Sequence, residues 1–378
     1  MTVCHRCAKI THLETVQDWT QIGARIGEAR LAAGLSQGQL AERLGVDRTA
    51  VVRLESGKRH VDAVELYRLA ELLGVPMAHF LTRPPSAVLS RRTALTEDSP
   101  SAARSRYRMD AALEAHARDA HWLVRHAGLP VIDQPLAARL CSFATDPTRM
   151  ALEARQALGV SNGPLGSLAA VAERFGLYLT VVDQDADGAS MVDDMIGVAI
   201  VGSLPPGRRR WTAAHELGHH LAQDEYHSDA GIAASRDERE QAIDRFVAEL
   251  LLPREDVRRE WESADARANP RATLVGIAGR YRLSWSAVVN QALAAEVVSR
   301  YEATRISAVT PVRGEFLAVL GVVPQEDLEI GVTGPQWRRS ALHAWRRGLV
   351  TASRAVELLH GALDVDDLPE QDAEDGPA

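Results

Sequence analysis

The sequence has little of what marks secreted, membrane-embedded or disulfide-bonded proteins. Its three cysteines in 378 residues are too few for a disulfide scaffold. No apolar run approaches the roughly 18–20 residues that are needed to span a bilayer. The N-terminus also lacks the basic-then-apolar order of a signal peptide. We therefore expect a cytoplasmic protein that has no membrane partner.

Basic residues are also in short supply: 43 lysines and arginines face 51 acidic residues, and the net charge is −8. An acidic balance argues at first sight against a nucleic-acid-binding protein. The charge is unevenly placed, however, because residues 361–378 hold seven acidic residues and no basic one. The rest of the chain therefore carries only −1, and we expect residues 364–378 to form a disordered acidic tail.

The length suggests two or three domains, and the pattern predicts a mainly α protein with a small β-sheet. Two short β-type runs, at residues 177–182 and 196–201, lie among helical patterns. We divide the chain into an N-terminal extension (1–19), a compact helical unit (20–83), a Pro- and Ser-containing linker (84–106), a helical connector (107–149), a mixed α+β unit (150–300), a helical C-terminal region of unknown role (301–363) and the tail (364–378).

The helical unit contains four short helices that are separated by glycines. Ser36 and Gln39 have the spacing of a capping box that opens the second helix, and Gly45 precedes a third helix near Asp47. Two short helices joined by such a turn form a helix-turn-helix, which places the N-terminus of its second helix in the major groove of DNA. The unit therefore predicts a double-stranded DNA operator as a partner.

The predicted DNA contacts follow from this placement. Arginine suits guanine edges and a methyl group suits thymine, so side chains at the start of the third helix are expected to read bases. Side chains next to the free amides of the second helix, or just after the third helix, are expected to hold phosphates. The predicted contact residues are Gln37, Arg48, Thr49, Ala50, Arg53, Ser56 and Lys58.

The segment LSQGQLAERLGVDRTAVVRLESGKR closely resembles the Cro/repressor-type (XRE) helix-turn-helix family. The resemblance covers about residues 20–82. It implies DNA binding, usually as a homodimer at a palindromic operator, and it supports the contact positions from Gln37 to Arg53. An ordinary helical domain used for protein contacts is the alternative.

The segment WTAAHELGHH contains His215, Glu216 and His219 in an HExxH arrangement. Residues i and i+4 share one face of a helix, so the two imidazoles can bind one zinc ion. Glu216 projects about 100° away, where it can act as the general base for a water molecule. Apolar residues fill the opposite side of this helix, and Gly218 among them suggests close packing against a neighbouring element. His220 falls outside the ligand arc.

A catalytic zinc ion takes three protein ligands and one open position, so a third ligand should lie downstream. Residues 238–253 form a second amphipathic pattern that ends at Pro253. Glu240 and Asp244 fall on its apolar face, whereas Glu238 and Glu249 point toward solvent. Inward-facing acids are costly unless they are paired or metal-bound. Glu240 is therefore the expected third ligand, and Asp244 the carboxylate that orients a ligand histidine.

Together the two segments resemble the Glu-zincin metallopeptidases and, more closely, the ImmA/IrrE family, over roughly residues 150–260 or as far as residue 300. The resemblance implies one catalytic Zn²⁺ on His215, His219 and Glu240, with Glu216 as general base. It also implies hydrolysis of a peptide bond in one or a few protein substrates, typically DNA-bound repressors. Val247 and Leu252 depart mildly from the family pattern, and neither residue touches the metal.

The mechanism expected from these parts is a zinc-assisted hydrolysis. Zinc lowers the pKa of its water to about 7, and Glu216 passes the proton to the leaving amine. Residues 196–201 would offer a strand edge for an extended substrate. Tyr226 and His227 lie close to the HExxH segment in the sequence, but we expect both residues in a solvated loop.

Weaker patterns support no firm assignment. Cys4 and Cys7, with His12, could form a partial zinc site, and a frayed N-terminus is the preferred interpretation. Residues 271–300 look like a helix pair that caps the peptidase unit rather than a second DNA reader. The segment at residues 337–359 interleaves arginine with tryptophan and could contact a partner or DNA, but an amphipathic surface helix is the preferred interpretation.

Three functions remain open from the sequence. The first is a DNA-binding regulator with a zinc endopeptidase that cuts a repressor, in cis or in trans. The second is a non-proteolytic regulator whose zincin-like unit senses metal or a partner. The third is one half of a toxin–antitoxin or phage-type switch. The complete ligand set with Glu216 favours the first, because a closed structural zinc site has no evident use for Glu216.

Overall fold

The computed structural model describes residues 18–81, 88–91, 100–131, 146–192, 196–222, 233–263 and 269–372, and the structural statements below concern those residues. The expected mainly α fold with a small sheet is confirmed. Cys4, Cys7, His12, Cys141, Tyr226 and His227 lie outside the described residues. None of the described helices is both long and apolar enough to cross a membrane.

The N-terminal domain contains the four helices that the glycine spacing predicted. They are α1 (Trp19–Ala32), α2 (Gln37–Leu44), α3 (Arg48–Glu55) and α4 (Ala63–Leu73), followed by a 3₁₀ turn (Met77–Phe80). The Ser36–Gln39 capping box is present, and Gly45 ends α2 at a φ of 72°, where glycine has no steric penalty. Ile26, Leu40, Val51 and Leu69 are buried at the centre of this domain.

A long helix, α5 (Pro100–Ala127), joins this domain to the rest of the chain. Arg25 of α1 forms a 3.2 Å ion pair with Glu114 of α5. His79 lies between them: one ring nitrogen is 3.0 Å from the Glu114 carboxylate, and the other is 2.7 Å from the Tyr107 hydroxyl. These part-buried contacts fasten the N-terminal domain to α5 rather than leaving it on a free tether.

The sheet has four strands, in the order β1-β3-β4-β2. The strands are β1 (Val88–Arg91), β2 (Leu177–Val181), β3 (Gly188–Val192) and β4 (Gly197–Val201). β2 and β4 are parallel, whereas β3 is antiparallel to both β4 and β1. Both predicted β runs are strands. The expected substrate edge at residues 196–201 is wrong, because β4 lies inside the sheet between β3 and β2.

Two of the sequence boundaries also change. The predicted linker at residues 84–106 contains β1 and the first turns of α5, so it contributes to the folded body. The predicted connector is largely α5, which covers one face of the sheet together with α15 (Pro335–Arg346). This layer buries four large side chains against one another, namely Leu113, Tyr178, Ile200 and Trp337.

The opposite face of the sheet packs on the larger helical layer. Its helices are α6 (Pro147–Ala157), α7 (Leu168–Arg174), α8 (Pro206–Ala222), α9 (Ala233–Leu251), α10 (Arg254–Ser263), α11 (Pro270–Tyr281), α12 (Trp285–Ala294), α13 (Arg300–Ser307) and α14 (Arg313–Leu320). The predicted helix pair at residues 271–300 corresponds to α11 and α12. The sheet thus lies between two helical layers, with α8 directly against β3 and β4.

The C-terminal end is more ordered than its composition predicts. After α16 (Ala352–Leu358), residues 364–372 return to α15. The Trp345 indole N–H donates to the Pro369 carbonyl at 2.7 Å, and Arg346 pairs with Asp372 at 2.5 Å. The prediction of a disordered tail is therefore wrong for residues 364–372, because apolar and arginine contacts hold them to α15.

Candidate metal centre and nucleic-acid interface

Helix α8 presents its two histidines to one point. The Nε2 atoms of His215 and His219 are 3.1 Å apart. Their ring centroids are 4.8 Å apart, and the two ring planes make an angle of 70°. Only 1% of His215 and 4% of His219 is exposed. The i, i+4 spacing therefore has the geometry that the sequence predicted, with both ring nitrogens aimed at a common position.

Helix α9 adds Glu240 to this position. One carboxylate oxygen of Glu240 is 3.2 Å from His215 Nε2, and the other is 3.8 Å from His219 Nε2. Ligand atoms of the three residues all lie within 4.8 Å of one another. Two imidazole nitrogens and a carboxylate oxygen form a donor set that suits zinc, and three protein ligands are the number that catalytic zinc sites use. The residues present therefore fit a zinc ion.

The two helices approach closely at Gly218. A Cβ atom at this position would lie 3.0 Å from Ile243 Cγ2 and 3.2 Å from Phe246 Cδ1, both in buried side chains of α9. A larger residue would push α9 outward, and Glu240 would move with it. The close packing that the sequence suggested for Gly218 thus positions the third candidate ligand.

Asp244 lies one turn beyond Glu240 on α9. Its Oδ1 atom is 3.3 Å from His215 Nδ1, so the imidazole is flanked by Glu240 on one nitrogen and by Asp244 on the other. A carboxylate on Nδ1 directs Nε2 toward a metal and raises its basicity. The Asp244 side chain is 48% exposed, so its face of α9 is only partly covered.

Glu216 is fully buried beside this cluster. The Ser190 hydroxyl, on β3, donates a 2.6 Å hydrogen bond to Glu216 Oε2. A Cβ atom on Gly188 would lie 3.0 Å from Glu216 Oε1, so this strand has no room for a larger side chain. The sequence pattern does not predict β3, because Gly188 and Ala189 are residue types that are depleted in strands.

Two nearby polar residues belong to other contacts. The His220 Nε2–H donates to the Phe175 carbonyl at 2.8 Å, and burial lowers the pKa of its imidazole. His220 is thus directed away from the cluster, as its helical angle predicted. Glu238 is exposed as expected, but the solvent position predicted for Glu249 is wrong. Glu249 is 5% exposed because Arg254 and Gln291 fold over it and donate hydrogen bonds to its carboxylate.

The N-terminal domain exposes most of the predicted DNA contacts. Arg48, Thr49 and Arg53 lie on the open surface of α3, and Ala50 is partly covered. Ser56 and Lys58 are exposed just beyond the end of α3. This face therefore offers two guanidinium groups and a small apolar side chain, followed by a lysine.

Gln37 differs from the other predicted contacts. Its side-chain amide donates to Glu55 Oε2 at 2.8 Å, while Arg30 donates to both Glu55 oxygens at 2.5 and 3.2 Å. Arg30 is 8% exposed, so this is a largely buried ion pair between α1 and α3. Glu55 therefore fixes the start of α2 and the end of α3 relative to α1.

Comparisons with known proteins give matches for both regions of the chain. Residues 26–80 match the family model for a helix-turn-helix, and residues 171–292 match the model for the IrrE N-terminal-like domain. An uncharacterized transcriptional regulator in the ATPase CF(0) region of Rhodospirillum rubrum is 34% identical over 61 residues. That match covers 16% of this chain and 56% of the relative, so it spans little more than half of the relative's length. Both resemblances read from the sequence are confirmed.

Proposed function

We propose that this chain, in which a helix-turn-helix domain is joined to an IrrE N-terminal-like domain, is a DNA-binding regulator whose second domain is a zinc endopeptidase. The observation that carries the proposal is the convergence of His215, His219 and Glu240 next to a buried Glu216. A purely structural zinc site uses a closed set of ligands and has no need of an adjacent base.

The chain's own residues account for the proton transfers. His215, His219 and Glu240 would hold a zinc ion, which would supply an activated water and polarise the scissile carbonyl. The Ser190 hydroxyl holds Glu216 Oε2, which fixes the carboxylate next to that position. Glu216 takes the proton from the attacking water and delivers it to the nitrogen of the leaving amine. Asp244 keeps His215 oriented through Nδ1.

The substrate we propose is a specific protein, such as a repressor, cut in cis or in trans to switch gene expression in the cytoplasm. The test uses the full-length chain loaded with one equivalent of zinc, incubated alone and with repressors encoded beside its gene. Glu216→Gln at the same zinc content is the matched control. Mass spectrometry should find fragments with the wild type and none with the variant.

The other outcomes of this test contradict the proposal in different ways. Equal cutting by both proteins would remove Glu216 from the role of base. Absence of fragments in every reaction, at full zinc occupancy, would favour a non-proteolytic regulator that senses metal or a partner.

For the DNA-binding domain, we propose a homodimer on a palindromic operator. Arg48, Thr49, Ala50 and Arg53 read the bases, and Ser56 and Lys58 hold phosphates. Gln37, at the start of α2, lies where the free backbone amides of that helix can hold a phosphate. Its hydrogen bond to Glu55 also fixes α2 relative to α3. Arg48, Thr49, Arg53, Ser56 and Lys58 are exposed along α3 or just after it, and this exposure supports the proposal that α3 enters a major groove.

An operator selected from random duplexes tests this assignment. Arg48→Ala should cost about 1–3 kcal/mol on the selected operator and relax specificity at one base. Lys58→Ala should weaken binding about equally on all sequences. Equal loss with both variants on all sequences would contradict base reading by Arg48. Half-sites that lack two-fold symmetry would contradict the homodimer.

A further inference from the structure

The strand beside Glu216 is covered by a segment of the interdomain linker. β3 packs against α8, and its Ser190 hydroxyl contacts Glu216. One edge of β3 pairs with β4, so its other edge is the side of the sheet next to the candidate metal centre. β1 pairs antiparallel with that edge, with Ser90 opposite Ser190 and Leu89 opposite Met191. Paired strands lie about 4.8 Å apart, so the linker backbone runs alongside the strand whose Ser190 hydrogen-bonds to the proposed base.

The same edge is the position that an extended peptide would need. A strand edge presents a row of backbone N–H and C=O groups, and an added strand can pair with them. β4 is enclosed between β3 and β2, and β2 lies at the far edge of the sheet. Of the described strands, β3 alone combines a position next to Glu216 with an outward edge, and β1 occupies it.

We propose that β1 is an internal substrate mimic, held in the place of an extended peptide that pairs antiparallel with β3. This inference rests on the endopeptidase function proposed above and deepens it. A protein substrate must present a segment that adopts the strand conformation, and it must displace the linker before its peptide bond can reach Glu216. The linker thereby restrains the peptidase and selects for substrates that are exposed as extended chain.

The folded elements that the linker connects are fastened to one another and to the segment before β3, which limits how far the linker strand can move from β3. The N-terminal domain is fastened to α5 through Arg25 and Glu114, and the Ser105 hydroxyl of α5 donates to the Asp185 carbonyl at 3.0 Å, just before β3. The strand is therefore held at a high effective concentration. At four residues it is also short, so a substrate can compete with it.

The same contacts favour a role for β1 in occupying the edge of β3 over a role as a cleavage site that releases the N-terminal domain. A cut at β1 would leave the contacts between Arg25, His79 and Glu114 intact. The structure thus provides a second connection between the two domains that does not depend on the linker backbone.

Hydrogen exchange tests the occupancy without any need for catalysis. In the zinc-loaded full chain, Leu89→Pro with Ser90→Pro removes two successive N–H groups, one of which must face β3 because strand residues alternate. We expect amides of β3 to exchange at least tenfold faster in this variant, with those of β4 unchanged. The same two prolines at Thr96 and Glu97, outside β1, should leave β3 protected. Unchanged exchange of β3 in the Leu89→Pro, Ser90→Pro variant would overturn the proposal.

A linker peptide tests whether the vacated edge accepts an extended chain. A labelled peptide of residues 84–95 is titrated into the Glu216→Gln protein, with and without the prolines at 89 and 90. It should bind at least tenfold more tightly when the prolines are present, and a peptide that itself carries them should not bind. Equal binding to both proteins, or binding to neither, would contradict the mimic. Neither readout requires cleavage, so a lack of proteolysis would count against the proposed function alone.

Discussion

The closeness of α8 and α9 at Gly218 leads to a quantitative prediction about both stability and metal binding. In Gly218→Ala, the higher helix propensity of alanine contributes about 1 kcal/mol in favour of folding. The new Cβ atom, however, meets Ile243 and Phe246 at 3.0 and 3.2 Å, and both are buried side chains in a packed core. Overpacking of this kind costs about 1–3 kcal/mol, so the variant should be destabilised by about 0–2 kcal/mol.

Gly218→Val enlarges the same clash and should be destabilised by about 3 kcal/mol, because two more methyl groups enter the gap and valine is a poorer helix former. It should also weaken zinc binding by at least tenfold, since α9 carries Glu240 away from the two histidines. Urea unfolding of the zinc-free protein measures the first effect. Competition with a chelator measures the second.

Gly276 provides the matched control for this series. A Cβ atom on Gly276, inside α11, would meet the far end of Arg280 at 3.2 Å and Val319 Cγ1 at 3.4 Å. Because the arginine end can move, Gly276→Ala should leave stability equal or raise it by up to about 1 kcal/mol, with zinc affinity unchanged. A Gly218→Val protein that unfolds at the wild-type urea concentration and binds zinc normally would refute the reasoning.

Three further predictions concern other parts of the chain. Asp244→Asn should reduce zinc affinity by about 10–100-fold, and equal affinity in a chelator competition would show that Asp244 does not orient His215. Glu55→Ala leaves Arg30 buried without its carboxylate and should destabilise the N-terminal domain by about 3 kcal/mol, as measured by urea unfolding; a cost below about 1 kcal/mol would contradict the buried pair. Burial lowers the pKa of His116 to about 3. Between this value and the ordinary pKa of 6.5, the native state binds fewer protons than the unfolded chain. The contribution of His116 to the free energy of unfolding should therefore be complete above pH 6.5 and should be lost as the pH drops toward 3. A His116→Gln variant with the same pH dependence as the wild type would count against this source.

Local rules placed the elements that carry their own signals. The capping box at Ser36 and the glycine after α2 define a helix boundary without reference to the rest of the chain. The i, i+4 spacing of His215 and His219 fixes a shared direction on any helix. Glu240 was accessible to the same logic, because an acid on an apolar helix face needs a partner.

The missing parts depend on contacts between distant segments. β3 begins with Gly188 and has weak strand propensity, so only its pairing with β4 and β1 makes it a strand. Glu249 was predicted to face solvent because it lies on the polar side of α9. The side chain of Gln291, which covers it, lies 42 residues away in the sequence. Such contacts leave no periodic signal in the sequence.

The most direct test of the account is the coordination of zinc in the full-length protein. X-ray absorption at one equivalent of zinc should give a shell of nitrogen and oxygen only, at about 2.0–2.2 Å. His215, His219 and Glu240 would supply three of these ligands, and a water molecule the fourth. A sulfur shell at about 2.3 Å would instead place the zinc on cysteines such as Cys4 and Cys7, and it would contradict the proposed catalytic centre.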